Sequence, residues 1–124
     1  GPRLGDSSNM LPVLVLKELS EDDEPEKIHV FHRQHIYIGR GIENSLVVNE
    51  DSVSRQQAEI IFRGMHASRR HASERWSIKD NSRNGTFVND RLVIPGQTVS
   101  LEAGDIITVG SRRFAVAGTG NQPE

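Results

Sequence analysis

The sequence predicts an all-β domain, a sandwich or barrel built from many short strands. Its apolar residues come in short runs such as VLVL, LVV and DIITV, rich in the β-branched side chains that favour strands. Turn-forming residues (Gly, Asn, Asp, Ser or Pro) separate these runs. No window of eleven or more residues carries a persuasive helical stripe of apolar residues. Short strands separated by turns at this spacing are typical of sandwiches and barrels.

The strands follow from these runs in order along the chain. The acidic segment SEDDEPEK predicts a solvated turn after the first strand. The segment GMHASRRHASE, residues 64–74, predicts a long, basic connection between two later strands. The predicted strands are 13–19, 28–33, 35–38, 46–48, 57–63, 75–80, 86–88, 91–94, 98–101, 106–109 and 112–117.

The 124 residues suit one domain with a single core. Both ends are polar and rich in Gly, Pro or Asn. We therefore expect a disordered segment or tag remnant over residues 1–10, the folded domain over 11–118 and a flexible tail over 119–124.

Composition argues against several functional classes. The chain has no cysteine, so it has neither a disulfide framework nor a thiolate metal site. No apolar run approaches the roughly 20 residues of a membrane span, so no membrane role is expected. The net charge of −2 argues against direct nucleic-acid binding. Only three of the 15 basic residues are lysines, and the planar fork of arginine suits phosphate or carboxylate.

Three polar segments stand at the ends of predicted strands. Gly39-Arg40 ends the strand IYI, Ser54-Arg55 precedes the strand AEII, and NSRNGTFVND spans residues 81–90. Each segment alone reads as a turn or strand entry, and Asn-Gly in particular favours a hairpin turn.

Together these segments resemble the forkhead-associated (FHA) domain family. Four blocks appear in the order of the family pattern: Gly39-Arg40, SRQQA, DNSRNGTFVN and GDIITVG. The resemblance covers about residues 12–117. It implies a twisted β-sandwich of about eleven strands that binds phosphothreonine peptides through loops at one end. It also implies a binding module without enzymatic activity or cofactor, whose partner is a phosphothreonine-containing protein.

The resemblance assigns a contact to each polar residue of these loops. The Arg40 guanidinium would bind the phosphate, and the Ser54 hydroxyl would donate to another phosphate oxygen. The Arg55 side chain or backbone N–H would close the site. Asn84 would bond the backbone of the peptide rather than its phosphate. Arg83 stands where the family more often has a small hydroxyl residue or glycine, and would bind the phosphate or an acidic residue downstream of it.

Five further residues are expected to shape the loops. Gly39 and Gly85 would permit turns, the Thr86 hydroxyl would brace its loop, and Asn89 would form a second turn with the residue after it. Gln57 replaces the histidine of the family pattern. Because an amide both donates and accepts, Gln57 could hold the Ser54 loop without titrating, or it could hold that loop less well.

The main alternative is an FHA-like sandwich that acts as a homodimerisation or phosphate-independent interaction module. A metal site is disfavoured: His29, His32 and His35 repeat every three residues, but His29 and His32 would point to opposite faces of a strand. An enzyme is disfavoured too, since the sequence has no nucleophile elbow or P-loop. The family resemblance also suggests an intracellular, nuclear location and a role in DNA-damage or cell-cycle signalling.

Overall fold

The computed structural model, which describes residues 11–22, 24–67 and 72–119, confirms the predicted β-sandwich. Its six-stranded sheet has the strand order β2-β1-β11-β10-β7-β8, and its five-stranded sheet has the order β4-β3-β5-β6-β9. Neighbouring strands are antiparallel except β3 and β4, which pair in parallel. The strands are β1 (Leu14–Leu19), β2 (Pro25–Phe31), β3 (His35–Gly39), β4 (Leu46–Val47), β5 (Ala58–Ala67), β6 (Ala72–Asp80), β7 (Thr86–Val88), β8 (Arg91–Leu92), β9 (Thr98–Leu101), β10 (Ile106–Val109) and β11 (Arg112–Thr119).

Each predicted strand has a counterpart, but the long connection predicted over residues 64–74 is wrong. Strand β5 continues to Ala67, and β6 begins at Ala72. A register shift between Phe62 and Met65 interrupts the pairing, and Gly64 there has a φ of 100°. A bulge of this kind accommodates extra residues without ending the strands, so both ends of the predicted connection lie within strands.

The core lies between the two sheets and follows the alternation of each strand. Along β1 the even-numbered residues are buried and the odd-numbered ones are half-buried, as expected for side chains that point alternately inward and outward. Trp76 and Phe114 are the largest of the fully buried side chains. The other fully buried apolar residues include Leu14, Leu16, Ile36, Ile38, Val48, Val53, Ile60, Ile78 and Ile107.

The strand directions bring three loops to one end of the sandwich. In the five-stranded sheet, Ala58 at the start of β5 pairs with Ile38 near the end of β3 and with Asp80 at the end of β6. Because neighbouring antiparallel strands run in opposite directions, the loops after β3, before β5 and after β6 meet at the same end of the sheet. These are residues 40–45, 48–57 and 81–85.

The segments at the two chain ends lie largely outside the described residues. These are the predicted disordered segment 1–10 and all of the predicted tail except Thr119. Thr119 is the last residue of β11 and pairs with Leu14. No helix among the described residues is long and apolar enough to cross a membrane.

The three histidines that raised the question of a metal site have separate surroundings. His29 lies in β2 of the six-stranded sheet and its Nε2 is 3.1 Å from Oε1 of Glu18. His35 lies in β3 of the other sheet and its Nε2 is 2.7 Å from Oε1 of Glu59. His32 lies in the exposed connection between these two strands.

An ion pair joins β1 and β11 at the edge of the core. Arg112 donates from Nε to Oε2 of Glu18 at 2.7 Å and from Nη2 to Oε1 at 2.8 Å. The bond from Arg112 outweighs the opposing effect of burial and, with a smaller contribution from His29, lowers the pKa of Glu18 from 4.5 to about 2. Glu18 is only 8% exposed, so this carboxylate depends on Arg112 for its stability as an anion.

We expect the Glu18 carboxylate to make the folding free energy depend on pH. Its folded pKa lies below its unfolded one, so its stabilisation is complete above pH 4.5 and is lost as the pH falls towards 2. The fall in pKa corresponds to about 3 kcal/mol. Urea unfolding of the wild type and of Glu18→Gln between pH 7 and pH 2 would show a difference in stability that shrinks on acidification.

Glu21→Gln is the control, because Glu21 is an exposed carboxylate in the turn after β1. Its effect should stay within about 0.5 kcal/mol of the wild type at every pH. A Glu18→Gln difference that is constant from pH 7 to pH 2 would contradict the assignment of this pH dependence to the ion pair with Arg112.

Candidate functional site

A cleft of about 370 Å³ opens where the three loops meet, and we call it the loop cleft. All the residues predicted to contact a ligand line it, although they come from three separate loops. Its lining consists of Arg40, Asp51, Ser52, Val53, Ser54, Arg55, Arg83 and Asn84.

Arg40 is fixed at its stem and free at its tip. Its backbone N–H donates to the carbonyl oxygen of Ser54, and its side-chain Nε donates to the carbonyl oxygen of Val53, both at 2.9 Å. The two terminal nitrogens of the guanidinium have no partner among the described residues. Since guanidinium carries five N–H donors, four of them remain for a ligand.

Direct hydrogen bonds join the loop after β6 to the loop before β5. The backbone N–H of Arg83 donates to Oγ of Ser54 at 3.0 Å. Nδ2 of Asn84 donates to the carbonyl oxygen of Ser52 at 2.9 Å. Ser54 accepts in this bond, so its own hydroxyl hydrogen remains available to donate. The Arg83 side chain is exposed and has no partner in the described part of the chain.

The side-chain amide of Gln57 connects the same two loops from inside. Its Oε1 accepts from the backbone N–H of Ser54 at 2.9 Å. Its Nε2 donates to the carbonyl oxygen of Gly85 at 2.8 Å and to Oγ1 of Thr86 at 3.0 Å. Gln57 is 1% exposed, so this amide is buried with both its oxygen and its nitrogen bonded.

A buried carboxylate organises the loop after β6. Oδ1 of Asp80 accepts from Oγ of Ser82 at 2.6 Å and from Oγ1 of Thr86 at 2.7 Å. Oγ of Ser82 in turn accepts from the backbone N–H of Gly85 at 2.7 Å. Asp80 is 3% exposed. The Thr86 hydroxyl therefore donates to Asp80 while it accepts from Gln57, which joins the two buried groups.

Two glycines allow the loops to approach this closely. A Cβ added at Gly39 would overlap the carbonyl oxygen of Arg55, so any larger residue would push the loops apart. Gly85 has a φ of 102°, a backbone conformation that favours glycine. A Cβ there would also come within 2.9 Å of Cδ1 of Leu92.

Two other side chains brace the remaining edges of the loop before β5. Nδ2 of Asn44, in the loop after β3, donates to the carbonyl oxygens of Gly41 at 2.8 Å and Arg55 at 2.7 Å. On the opposite side, Glu50 accepts from the backbone N–H of Ser111 at 2.9 Å and from its hydroxyl at 2.7 Å. The hydroxyl and backbone bonds from Ser111 lower the pKa of Glu50.

Asn89 lies apart from the loop cleft. With Asp90 it forms the turn between β7 and β8, and these residues have φ values of 52° and 65°. Positive φ at both central positions is the conformation of a two-residue hairpin turn. Oδ1 of Asn89 accepts from the backbone N–H of Ile106 at 2.9 Å, so Asn89 holds this turn to β10 rather than shaping the cleft.

The charge in the cleft is mixed but mainly positive. Three of its lining side chains are arginines, against one acid, Asp51. Nη2 of Arg55 lies 3.5 Å from Oε1 of Glu43, with both side chains more than half exposed. An ion pair this exposed contributes little, so Arg55 can turn towards an anion in the cleft at small cost.

Sequence reasoning missed Asp80, Ser82, Asn44 and Glu50 as organisers of the site. A local signal existed for the first two, because an Asp two residues before a Ser commonly forms an Asx turn. The bond between Ser82 N–H and Oδ1 of Asp80, 3.1 Å long, has this form. Asn44 and Glu50 bond residues 11 and 61 positions away, which no local pattern reveals.

Comparison with known proteins decides the family. The FHA domain model matches residues 36–110, which is more than half of the chain. The chain belongs to the FHA family. The resemblance found in the sequence is thereby confirmed, and the matched region contains all three loops of the cleft.

One relative and two solved structures illustrate this similarity. Mouse nibrin is 35% identical over 75 residues, which are 59% of this chain but only 10% of nibrin. The MEK1 FHA domain in complex with a HOP1 phosphothreonine peptide has a TM-score of 0.66 and 22% identity, over 87% of this chain and 97% of that one. The yeast Dun1 FHA domain in complex with a doubly phosphorylated peptide from Rad53 has the same score and identity, over 87% and 74% of the two chains. These two structures confirm the fold.

We expect Gln57→Leu to destabilise the domain by about 3 kcal/mol, because it leaves buried partners in both loops without a hydrogen bond. Urea unfolding measures this loss. Gln56→Leu is the matched control, since Gln56 is the preceding residue and is exposed. Its replacement should lower the free energy of unfolding by less than about 0.5 kcal/mol. Equal effects of the two substitutions would contradict the bridging role of Gln57.

Gln57→His should make the bridge between the two loops more dependent on pH. An imidazole has two ring nitrogens and titrates near pH 6.5, whereas the amide of Gln57 makes three bonds and does not titrate. Amide hydrogen exchange of Ser54, whose N–H is bonded to Gln57, should therefore be more pH-sensitive in the variant after correction for intrinsic exchange. Identical corrected profiles between pH 5.5 and 7.5 would count against this account.

Proposed function

We propose that this FHA domain binds phosphothreonine peptides in the loop cleft and thereby recruits a phosphorylated partner protein. The proposal rests on one observation above all. Arginine and serine side chains from three loops line a single cleft, and the stem of Arg40 is fixed while its terminal nitrogens have no partner among the described residues. Such a site is preorganised for an anion with several acceptor oxygens.

Arg40 and Ser54 are the proposed phosphate ligands. The four unused N–H donors of Arg40 suit a two-pronged contact with phosphate oxygens. The Ser54 hydroxyl would donate to a further oxygen, and its position is fixed by the bond from the backbone of Arg83. Arg55 would join them on release from Glu43, since their exposed ion pair is weak.

Arg83 and Asn84 would bind the rest of the ligand. Nδ2 of Asn84 is used on Ser52, so its side-chain oxygen remains to accept from a backbone N–H of the peptide. The exposed Arg83 would add charge near the phosphate or bind an acidic residue after it. The phosphopeptides bound by the MEK1 and Dun1 domains support this ligand class by analogy of fold.

The expected binding energies are large enough for phosphorylation to switch peptide binding on. A phosphate carries about −1.5 to −2 charges near neutral pH, and each hydrogen bond to a charged group contributes about 1.5–3 kcal/mol. Two such bonds separate phosphorylated from unphosphorylated peptide by about a thousandfold. Preference for threonine over serine rests on one methyl group, worth about 0.8 kcal/mol, or about fourfold.

The wider setting is also a proposal. This chain spans about a tenth of mouse nibrin, so the activity of a longer protein does not transfer from that match. From family membership we propose an intracellular, nuclear signalling module without enzymatic activity, serving DNA-damage or cell-cycle signalling. Imaging of the full-length protein with and without Arg40→Ala would show whether its location depends on the loop cleft.

We expect Arg40→Ala to weaken binding of a phosphothreonine peptide by about a hundredfold, because it removes a bidentate charged contact. Titration of an oriented phosphothreonine library against the wild type and the variant measures this, with the unphosphorylated library alongside. Arg91→Ala is the matched control, since Arg91 is an exposed arginine in β8 outside the loop cleft. It should change affinity by less than about twofold.

Unchanged partner binding by a folded Arg40→Ala would instead favour the homodimerisation or phosphate-independent role. Edge strand β2 provides a candidate surface for it, with Ile28 and Val30 being 59% and 51% exposed. Ile28→Asp, tested by sedimentation and partner capture, would then identify that surface.

A further inference from the structure

A second cleft adjoins the loop cleft, and we call it the acceptor cleft. It has a volume of about 300 Å³ and lies against the outer face of the five-stranded sheet. That volume is at the lower end of the range for ligand sites, which suits one long side chain rather than a whole ligand. Its lining consists of Tyr37, Glu43, Asn44, Gln56, Ala58, Glu59 and Asn81.

The two clefts meet at Arg55 and Glu43. Arg55 lines the loop cleft and Glu43 lines the acceptor cleft, and their ion pair spans 3.5 Å. Asn44, which also lines the acceptor cleft, holds the backbone of Arg55 through a bond of 2.7 Å. A peptide whose phosphate reaches Arg55 therefore brings neighbouring residues close to the acceptor cleft.

The polar groups of this cleft are mostly acceptors. Nδ2 of Asn44 is bonded to Gly41 and Arg55, and Nδ2 of Asn81 is bonded to Oε2 of Glu59 at 2.6 Å. In the described part of the chain, the side-chain oxygens of Asn44 and Asn81 have no donor. Together with the exposed carboxylate of Glu43, these oxygens give the cleft several acceptors, whereas the donors in its lining are the Tyr37 hydroxyl, the Gln56 amide and one N–H of Asn81.

The floor of the cleft is rigid and stays negatively charged. Glu59 and Tyr37 are directly opposite each other on β5 and β3, so the sheet fixes their positions. Burial raises the pKa of Glu59, but hydrogen bonds from Asn81 and His35 outweigh it, so the pKa is lowered overall. The ring of Tyr37 adds an aromatic wall, a surface that attracts cations.

From this arrangement we propose that the acceptor cleft binds an arginine or lysine side chain of the phosphothreonine peptide, next to its phosphothreonine. A guanidinium offers five donors and no acceptor, which complements the side-chain oxygens of Glu43, Asn44 and Asn81 in this cleft. Binding replaces the ion pair between Arg55 and Glu43 by two others. Arg55 then pairs with the phosphate, and the Glu43 carboxylate pairs with the cation of the peptide.

This inference rests on the proposed function and opposes one expectation for the same peptide. Arg55 and Arg83 alone would favour an acidic neighbour to the phosphothreonine. The acceptor cleft predicts a basic one on the side where the chain passes Glu43. Both preferences can be read from one library, because they would appear as enrichment of opposite charges at particular positions.

The test is an oriented phosphothreonine library on the wild-type domain, followed by three peptides with Arg, Ala or Glu at the enriched position. We expect the Arg peptide to bind about tenfold tighter than the Ala peptide, the effect of one charged hydrogen-bonded contact. Glu43→Gln should reduce that ratio to about threefold or less. Glu43 is more than half exposed, so the fold should tolerate the change.

Asp51→Asn is the charge-matched control, because Asp51 is an exposed acid that lines the loop cleft but not the acceptor cleft. It should raise affinity for all three peptides and leave the ratio between Arg and Ala peptides unchanged. Phosphate-dependent binding without enrichment of a basic residue, or with a ratio unaffected by Glu43→Gln, would overturn this inference alone. Absence of phosphate-dependent binding by the wild type would overturn the proposed function and this inference with it.

Discussion

The buried side-chain amide of Gln57 is the contact on which the geometry of the loop cleft depends. It joins the backbone of Ser54 to Gly85 and Thr86, and so reinforces from inside the direct bonds that join the same two loops at the surface. Because its polar atoms are bonded and shielded from water, separating the loops would leave several buried groups unsatisfied, which is costly. Arg40 bonds the backbone of Ser54, which this amide holds, and Asn84 directly precedes Gly85, whose carbonyl oxygen the amide also bonds.

The site divides its hydrogen-bonding groups between structure and ligand. Three groups hold the loops together: Nε of Arg40, Oγ of Ser54 as an acceptor, and the amide nitrogen of Asn84. The groups left over are those that a phosphopeptide needs: guanidinium tips, a hydroxyl hydrogen and an amide oxygen. Preorganisation of this kind lowers the entropy that binding must overcome. In the acceptor cleft, Asn44 and Asn81 show the opposite division: their amide nitrogens are bonded, and their oxygens have no donor among the described residues.

Acidic side chains lie beside the arginines at this end of the sandwich. Glu43 lies against Arg55, and Asp51 lies among the arginines of the loop cleft. Acids so close to a cationic site reduce its attraction for anions in general. An anion must therefore bring enough well-placed oxygens, or a cation of its own for Glu43, to replace these contacts. A dianionic phosphate on a peptide with a basic neighbour meets both conditions.

The sequence alone determined the strands, the family and five of the eight residues that line the loop cleft. Alternating apolar residues and turn signals are local, so all eleven strands could be located. The bulge at Gly64 was missed, because a glycine in a strand and a glycine in a loop look alike until pairing is known. Only tertiary structure decided whether Gln57 holds the Ser54 loop well, because two of its hydrogen-bond partners are 28 and 29 residues away. The acceptor cleft also depended on tertiary structure, since side chains from β3, β5 and all three loops form it. Which of their atoms remain available for a ligand is decided only when these distant segments pack together.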